Sequence, residues 1–166
     1  MKKPFYFPLK MHVGAPDAPC VKEGDIIKRG ECIAEPSGLG ARIHSSVSGT
    51  VLKINDKEII IEADDKQLEE YVKIKKCKSI VESVYEAGIV GAGGAGFPTY
   101  IKLKANIAKG YIIANCVECE PALHHNIEMI EKMPEVLIKG IKYAMQATKA
   151  PKAIIGIKAR SEEHTS

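Results

Sequence analysis

Tryptophan is absent from the 166 residues, and phenylalanine and tyrosine together make up only 5%. A chain so poor in large rings has little stock for an aromatic recognition surface. Long apolar runs are missing too: no stretch reaches the ~18 consecutive apolar residues of a membrane span. Met1 to Lys10 holds Pro4 and Pro8 among few apolar residues, which is unlike a secretory signal. Nor does one sign of charge dominate. Lys and Arg total 24 against 21 Asp and Glu, for a net charge of +3, and the Lys-rich stretch 73–78 is offset by Asp64, Asp65, Glu69 and Glu70. A nucleic-acid binder gathers its cations on one face, so no nucleic-acid partner is expected. The five cysteines are an odd number in a chain without a signal, and they read as free thiols of a reducing compartment rather than a disulfide framework. The expected setting is cytoplasmic, or peripheral on the inner face of a membrane, with no direct membrane span.

What is present is an ordinary globular composition, 45% apolar and 27% charged, in a length that suits one domain or two small ones. Residues 21–62 alternate short β-prone runs with Gly24-Asp25, Gly30, Gly38, Gly40, Gly49 and Asn55-Asp56, the punctuation of a small all-β module. Beyond residue 68 the period lengthens. A strand is predicted at Tyr71 to Ile74. A helix follows from Ser79 to Ala87, with Ser79 and Glu82 at capping-box spacing and Gly88 placed to end it. Pro98 sits where another helix could start. Tyr111 to Ala114 and Ala153 to Ile157 are predicted strands. Between them, apolar residues at helical spacing mark helices over 122–132 and 134–148, separated by Pro134. Strands alternating with helices predict an α/β half-domain on a parallel sheet with too few strands to be whole.

The most concentrated chemical feature is Gly91-Ala-Gly-Gly-Ala-Gly-Phe-Pro-Thr99, with Lys102 one helical step further on. Four glycines in six positions let backbone N–H groups approach a phosphate, and Lys102 can add a full positive charge. The spacing is neither that of a Walker A loop nor that of the dinucleotide fingerprint. On these residues alone the run is a phosphate cradle or a tight helix-packing turn.

The longer run Gly88-Ile-Val-Gly-Ala-Gly-Gly-Ala-Gly-Phe-Pro-Thr-Tyr-Ile-Lys102 resembles a flavin-binding segment. It is shared by RnfC subunits of Rnf complexes, the flavoprotein subunit of respiratory complex I and the proline-reductase-associated electron transfer protein PrdC. A second block in the same order, Tyr111-Ile-Ile-Ala-Asn-Cys-Val-Glu-Cys-Glu-Pro121, resembles the same RnfC-like family. The stretch from Val21 to Ala34 with Ile43 to Val51 resembles the barrel-sandwich fold of lipoyl and biotinyl carriers, but the hairpin region Glu35 to Ile43 contains no lysine to modify, so a docking or structural role is expected. The fold class implied is β plus α/β. A barrel-sandwich hybrid over 1–65 precedes a truncated, Rossmann-like FMN-binding domain over 66–159. Residues 160–166 resemble a translated sequencing adapter and are expected not to belong to the protein.

The resemblance implies that Gly91, Gly93, Gly94, Ala95, Gly96 and Phe97 line the FMN phosphate and ribityl chain. It further implies that Lys102 pairs with the phosphate, that Asn115 touches the flavin, and that Glu118 and Glu120 edge a nicotinamide. Where the complex I flavoprotein has an arginine and an aspartate, this chain has Ala92 and Val117, as in the RnfC and PrdC branch. NADH is the implied donor. 4Fe-4S clusters are expected only beyond this chain, whose cysteines lack the Cys-x2-Cys-x2-Cys-x3-Cys run. The implied partners are a reductase or Rnf-type electron transfer proteins. The opening Phe7 to Pro16 and Ala92 favour the PrdC branch, with an Rnf subunit as the alternative and a non-catalytic scaffold as the opposing class. Cys116, Cys119, His124 and His125 could suit zinc or redox chemistry, but a single Cys-x-x-Cys pair is a weak metal signal, and no metal site is expected. His12 and His44 read as structural histidines. The fragment alone is not expected to turn over.

Overall fold

The β-prone runs of the first half fold into short strands, of which the longer ones turn apolar residues inward. A computed structural model of the chain describes residues 3–75, 77–92, 95–118 and 124–157. The chain divides into two compact units, residues 1–102 and 103–166. The suspected adapter-like tail, 160–166, lies outside the described residues.

In the first unit the strands are β1 (Pro4–Pro8), β2 (Ala18–Pro19), β3 (Ile26–Ile27), β4 (Cys32–Glu35), β5 (Ile43–His44), β6 (Gly49–Ile54) and β7 (Glu58–Ala63). They form two antiparallel sheets, ordered β1-β7-β6-β3 and β2-β4-β5. β7 shows the pattern most plainly: Ile59, Ile61 and Ala63 turn inward and their neighbours outward. These side chains join Phe7, Leu9, Ile27, Ile33, Ala34, Ile43, Val47 and Val51 in one apolar core. A bulge between Val51 and Lys53 re-aims β6 and leaves Leu52 at the surface. β1 includes Pro4 and Pro8, residues that rarely sit inside a sheet. It lies at the sheet edge, where a strand needs only one hydrogen-bonded side and proline is tolerated.

The predicted strand at Tyr71–Ile74 does not form. Val72 N donates to Arg29 O at 2.8 Å, but Tyr71 and Ile74 are exposed, and among the described residues no strand pairs with this segment. Helix α1 (Ile80–Glu86) starts as its sequence requires, with the Ser79 side chain accepting from Glu82 N. It ends in a Schellman arrangement, with Gly88 N donating to Tyr85 O, Ile89 N to Val84 O, and Gly88 left-handed at φ +64°. Helix α2 (Thr99–Leu103) follows Pro98.

The second unit holds β8 (Tyr111–Asn115), α3 (His125–Lys132), α4 (Pro134–Thr148) and β9 (Lys152–Gly156). β8 and β9 are parallel, in register from Tyr111↔Lys152 to Asn115↔Gly156, and α4 packs on both. Parallel neighbours need such a crossover. Pro134 opens α4, where its missing N–H costs nothing. The strand predicted from Ala153 begins one residue earlier, and the first residues of the helix predicted over 122–132 fall outside the described set. Tyr111, Ile113 and Ile154 are exposed on this small sheet.

The barrel core sets the stability of the first unit. Ile61→Ala should cost about 2–5 kcal/mol in chemical denaturation, whereas Ile26→Ser, at a side chain 81% exposed, should stay within about 0.5 kcal/mol of wild type.

Candidate functional site

The glycine-rich segment is a loop closed at its neck. Gly91 N donates to Phe97 O at 2.9 Å, Thr99 N donates to Ile89 O at 3.0 Å, and Val90 bridges Pro98. Ala92 and Ala95 face solvent with nothing larger than a methyl group, while Gly96 is buried at φ +65°. Of the implied site residues, Gly93 and Gly94 lie outside the described residues.

Lys102 lies in the last turn of α2 and reaches back over this loop. Its ammonium stands 5.6 Å from the Phe97 ring centroid, a cation–π distance, and 3.8 Å from the point where a β-carbon on Gly91 would sit. Gly91, Phe97 and Lys102 are thus brought together, with the ammonium beside the Gly91 backbone and the Phe97 ring. Such an arrangement admits an anionic group close to the main chain.

The barrel holds this loop's flanks. Arg42 pairs with Glu35 at 2.9 Å and with Glu86 of α1, and stacks on Tyr85 with 5.2 Å to the ring centroid. Tyr85 meets Tyr100 of α2 edge to face, 4.9 Å between centroids, so α1 links Arg42 to the helix bearing Lys102. Burial works against the Arg42 charge, but the two carboxylates outweigh it and raise its pKa. Burial and the nearby Arg42 lower the pKa of His44. Sequence reasoning gave Arg42 no role, because a lone arginine names no partners; the partners come from positions 35, 85 and 86. The Cys32 thiol is pushed up to about 12, mainly by burial and then by Cys20, and stays protonated.

In the second unit, Asn115 and Glu118 stand at or just beyond the carboxyl end of β8, the end at which ligands bind in open parallel sheets. Asn115 Oδ1 accepts from Val117 N at 3.2 Å. Cys116 is buried and its N–H donates to Gly156 O. The Glu118 carboxylate turns toward α3: it accepts from Asn126 N at 2.6 Å, Ile127 N at 3.4 Å and Asn126 Nδ2 at 3.1 Å, and lies 3.6 Å from His125 Nδ1. His124, at the N-cap position, provides no side-chain bond. Glu118 therefore does the capping in its place. Cys119 and Glu120 lie outside the described residues. Among the described residues no group of three or more His, Cys, Asp or Glu could hold a metal ion, and no helix is long and apolar enough to cross a membrane.

Glu118→Ala should leave the first turn of α3 uncapped at a cost of about 1 kcal/mol. Faster amide hydrogen exchange at Asn126 and Ile127 would register the loss.

Comparison with known proteins agrees with both halves. The RnfC barrel sandwich hybrid domain matches residues 1–78 and the Nuo51 FMN-binding domain matches residues 84–166. The chain is 33% identical to the RnfC-type component of the Na(+)-translocating ferredoxin:NAD(+) oxidoreductase complex of Acetobacterium woodii, over 94% of this chain and 40% of that protein. It is 33% identical to the corresponding component of the proton-translocating ferredoxin:NAD(+) oxidoreductase complex of Clostridium ljungdahlii, over 92% of this chain and 37% of that protein. To the corresponding component of the ion-translocating oxidoreductase complex of Salmonella arizonae the identity is 29%, over 92% of this chain and 25% of that protein. The chain thus spans two fifths or less of the length of these relatives. They support the Rnf alternative in place of the proline-reductase branch that the opening residues favoured. A barrel sandwich hybrid followed by an FMN-binding domain, with RnfC subunits as relatives along nearly its whole length, places the chain in the RnfC-like family of electron transport flavoproteins.

Proposed function

We propose that the 91–97 loop and Lys102 bind the phosphate end of FMN, and that the chain serves within an Rnf-type ferredoxin:NAD oxidoreductase complex. The observation that supports this best is the Lys102 ammonium, 3.8 Å from the β-carbon position of Gly91, above a neck-closed loop with only methyl side chains at Ala92 and Ala95. The residues fit the group: a phosphate needs an unobstructed backbone and a cation, and a ribityl chain needs a shallow surface free of bulk. FMN, when bound, supplies the exchange between two-electron and one-electron transfer.

The chain's own residues would hold and orient it. Lys102 would donate to the phosphate, and the Phe97 ring would restrict the lysine's rotamers and lower the entropy lost on binding. Gly93 and Gly94 complete the loop in this reading, and Asn115 meets the flavin from the end of β8. NADH as donor, with Glu118 and Glu120 at the nicotinamide edge, belongs to the same proposal. Because the Glu118 carboxylate is engaged by α3, its part there is to cap that helix, which leaves Glu120 for direct contact. The 4Fe-4S clusters and the protein partners of electron transfer lie outside this chain. A proline-reductase-associated chain is the second reading, favoured by the opening Phe7 to Pro16.

Lys102→Ala should weaken FMN binding by about 1–3 kcal/mol if the ammonium makes a charge-assisted bond to phosphate. Flavin fluorescence titration of the full-length protein measures this, and unchanged affinity would remove Lys102 from the site. A wild-type protein that stays colourless in excess FMN would favour a scaffold instead.

A further inference from the structure

The loop between β1 and β2 contains a buried ionisable pair that the barrel core does not use. The side chains of His12 and Asp17 are 2% and 0% exposed, with Nε2 and Oδ2 3.2 Å apart, yet neither belongs to the apolar cluster. His12 Nδ1 lies 3.1 Å from Val13 O, and Nε2 lies 3.0 Å from Ala41 O and 3.1 Å from Ala41 N. The hairpin segment 36–41 closes over the pair: a β-carbon on Gly40 would sit 2.7 Å from His12 Cε1 and 3.1 Å from Asp17 Oδ1. Asp17 N donates to Leu9 O at 2.8 Å, which ties the turn to the end of β1. On its other side the same turn meets the glycine-rich loop. Val13 N donates to Gly96 O at 3.4 Å, and a β-carbon on Gly96 would fall 3.1 Å from His12 Cα and 3.3 Å from Met11 O.

We propose that His12 and Asp17 are positioning residues for the flavin loop: their hydrogen bonds fix the turn 11–13 against which the Gly96 end of the loop is seated. This rests on the reading of 91–97 as the FMN loop. The energetics favour a positional role over a purely stabilising one. An apolar pair of similar volume would fill the same space without desolvating two ionisable groups, and what the polar pair adds is a fixed direction. Burial works to lower the His12 pKa, but the Val13 carbonyl and the Asp17 carboxylate outweigh it and raise it. Burial raises that of Asp17, one of whose oxygens, Oδ1, has no hydrogen-bond partner among the described residues. The pair is thus held at a cost, beside Gly96, where the loop touches the barrel's own backbone. The 36–41 hairpin, which has no lysine to display, acquires a use as the cover of that pair.

The test is FMN titration of the full-length protein, with circular dichroism and thermal melting as controls for folding. His12→Ala and Asp17→Leu, which removes the acceptor at similar volume, should each raise the FMN dissociation constant by about tenfold, because a loop no longer pre-organised must be ordered by the ligand. His12→Gln, whose amide can still donate toward Asp17, should stay within about threefold of wild type. Folded His12→Ala and Asp17→Leu proteins with wild-type affinity would overturn the proposal, as would equal losses in His12→Gln and His12→Ala. If His12→Ala does not fold, the near-isosteric Asp17→Leu and the His12→Gln protein decide it alone. Failure of the wild-type protein to bind FMN would instead reject the underlying flavin reading.

Discussion

Burial of the inner faces of two small antiparallel sheets is the constraint on which the first unit depends. Ile33, Ile59 and Ile61 are fully buried, and Ile27 and Val51 nearly so. Apolar side chains of this size contribute roughly 1.5–3 kcal/mol each when removed from water, enough to hold strands of two to six residues that would not persist as isolated hairpins. Because the core fixes the ends of β1, β4 and β5, it also fixes where the connecting segments 9–17 and 36–42 go. Those segments hold His12, Asp17 and Arg42, the barrel's contacts with α1 and the glycine-rich loop.

The barrel is therefore more than a neighbour of the glycine-rich loop. Arg42 reaches α1 through Glu86 and Tyr85, and Tyr85 passes the contact to Tyr100 of the helix bearing Lys102. At its far end the loop rests on the backbone at Met11 and His12. One β module thus supports both flanks of a loop too rich in glycine to define its own shape, since each glycine enlarges the set of conformations the loop would otherwise sample. A rigid support under a backbone cradle is what tight recognition of a phosphate requires.

The second unit has the opposite balance. α4 covers one side of the parallel pair β8 and β9, while Tyr111, Ile113 and Ile154 stay exposed. Its order comes from local devices: Pro134 at the start of α4, the left-handed Lys149 after it, and the Glu118 carboxylate on the first turn of α3. The Glu118 contact shows how a residue placed at the nicotinamide edge by resemblance can instead be engaged in capping α3.

Features governed by neighbours in the chain were legible in the residues. The Ser79 cap, the Gly88 stop, Pro134 at a helix start and the glycine run with Lys102 each depend on backbone geometry within a few positions, so spacing reveals them. The β-module punctuation was readable for the same reason, and the order of the two family blocks pointed to an RnfC-like flavoprotein. Features made by distant pairing were not. Tyr71 to Ile74 has strand-like residues but no partner strand among those described. His12 read as an ordinary structural histidine; only the fold brings Asp17, Ala41 and Gly96 around it, because those contacts join positions up to 84 residues apart. Residue order and spacing were enough to mark a stretch of backbone open to a phosphate, with a cation one helical step away. What that stretch leans on emerged only from the folded chain, since the direction of a buried hydrogen bond is set once its partners meet.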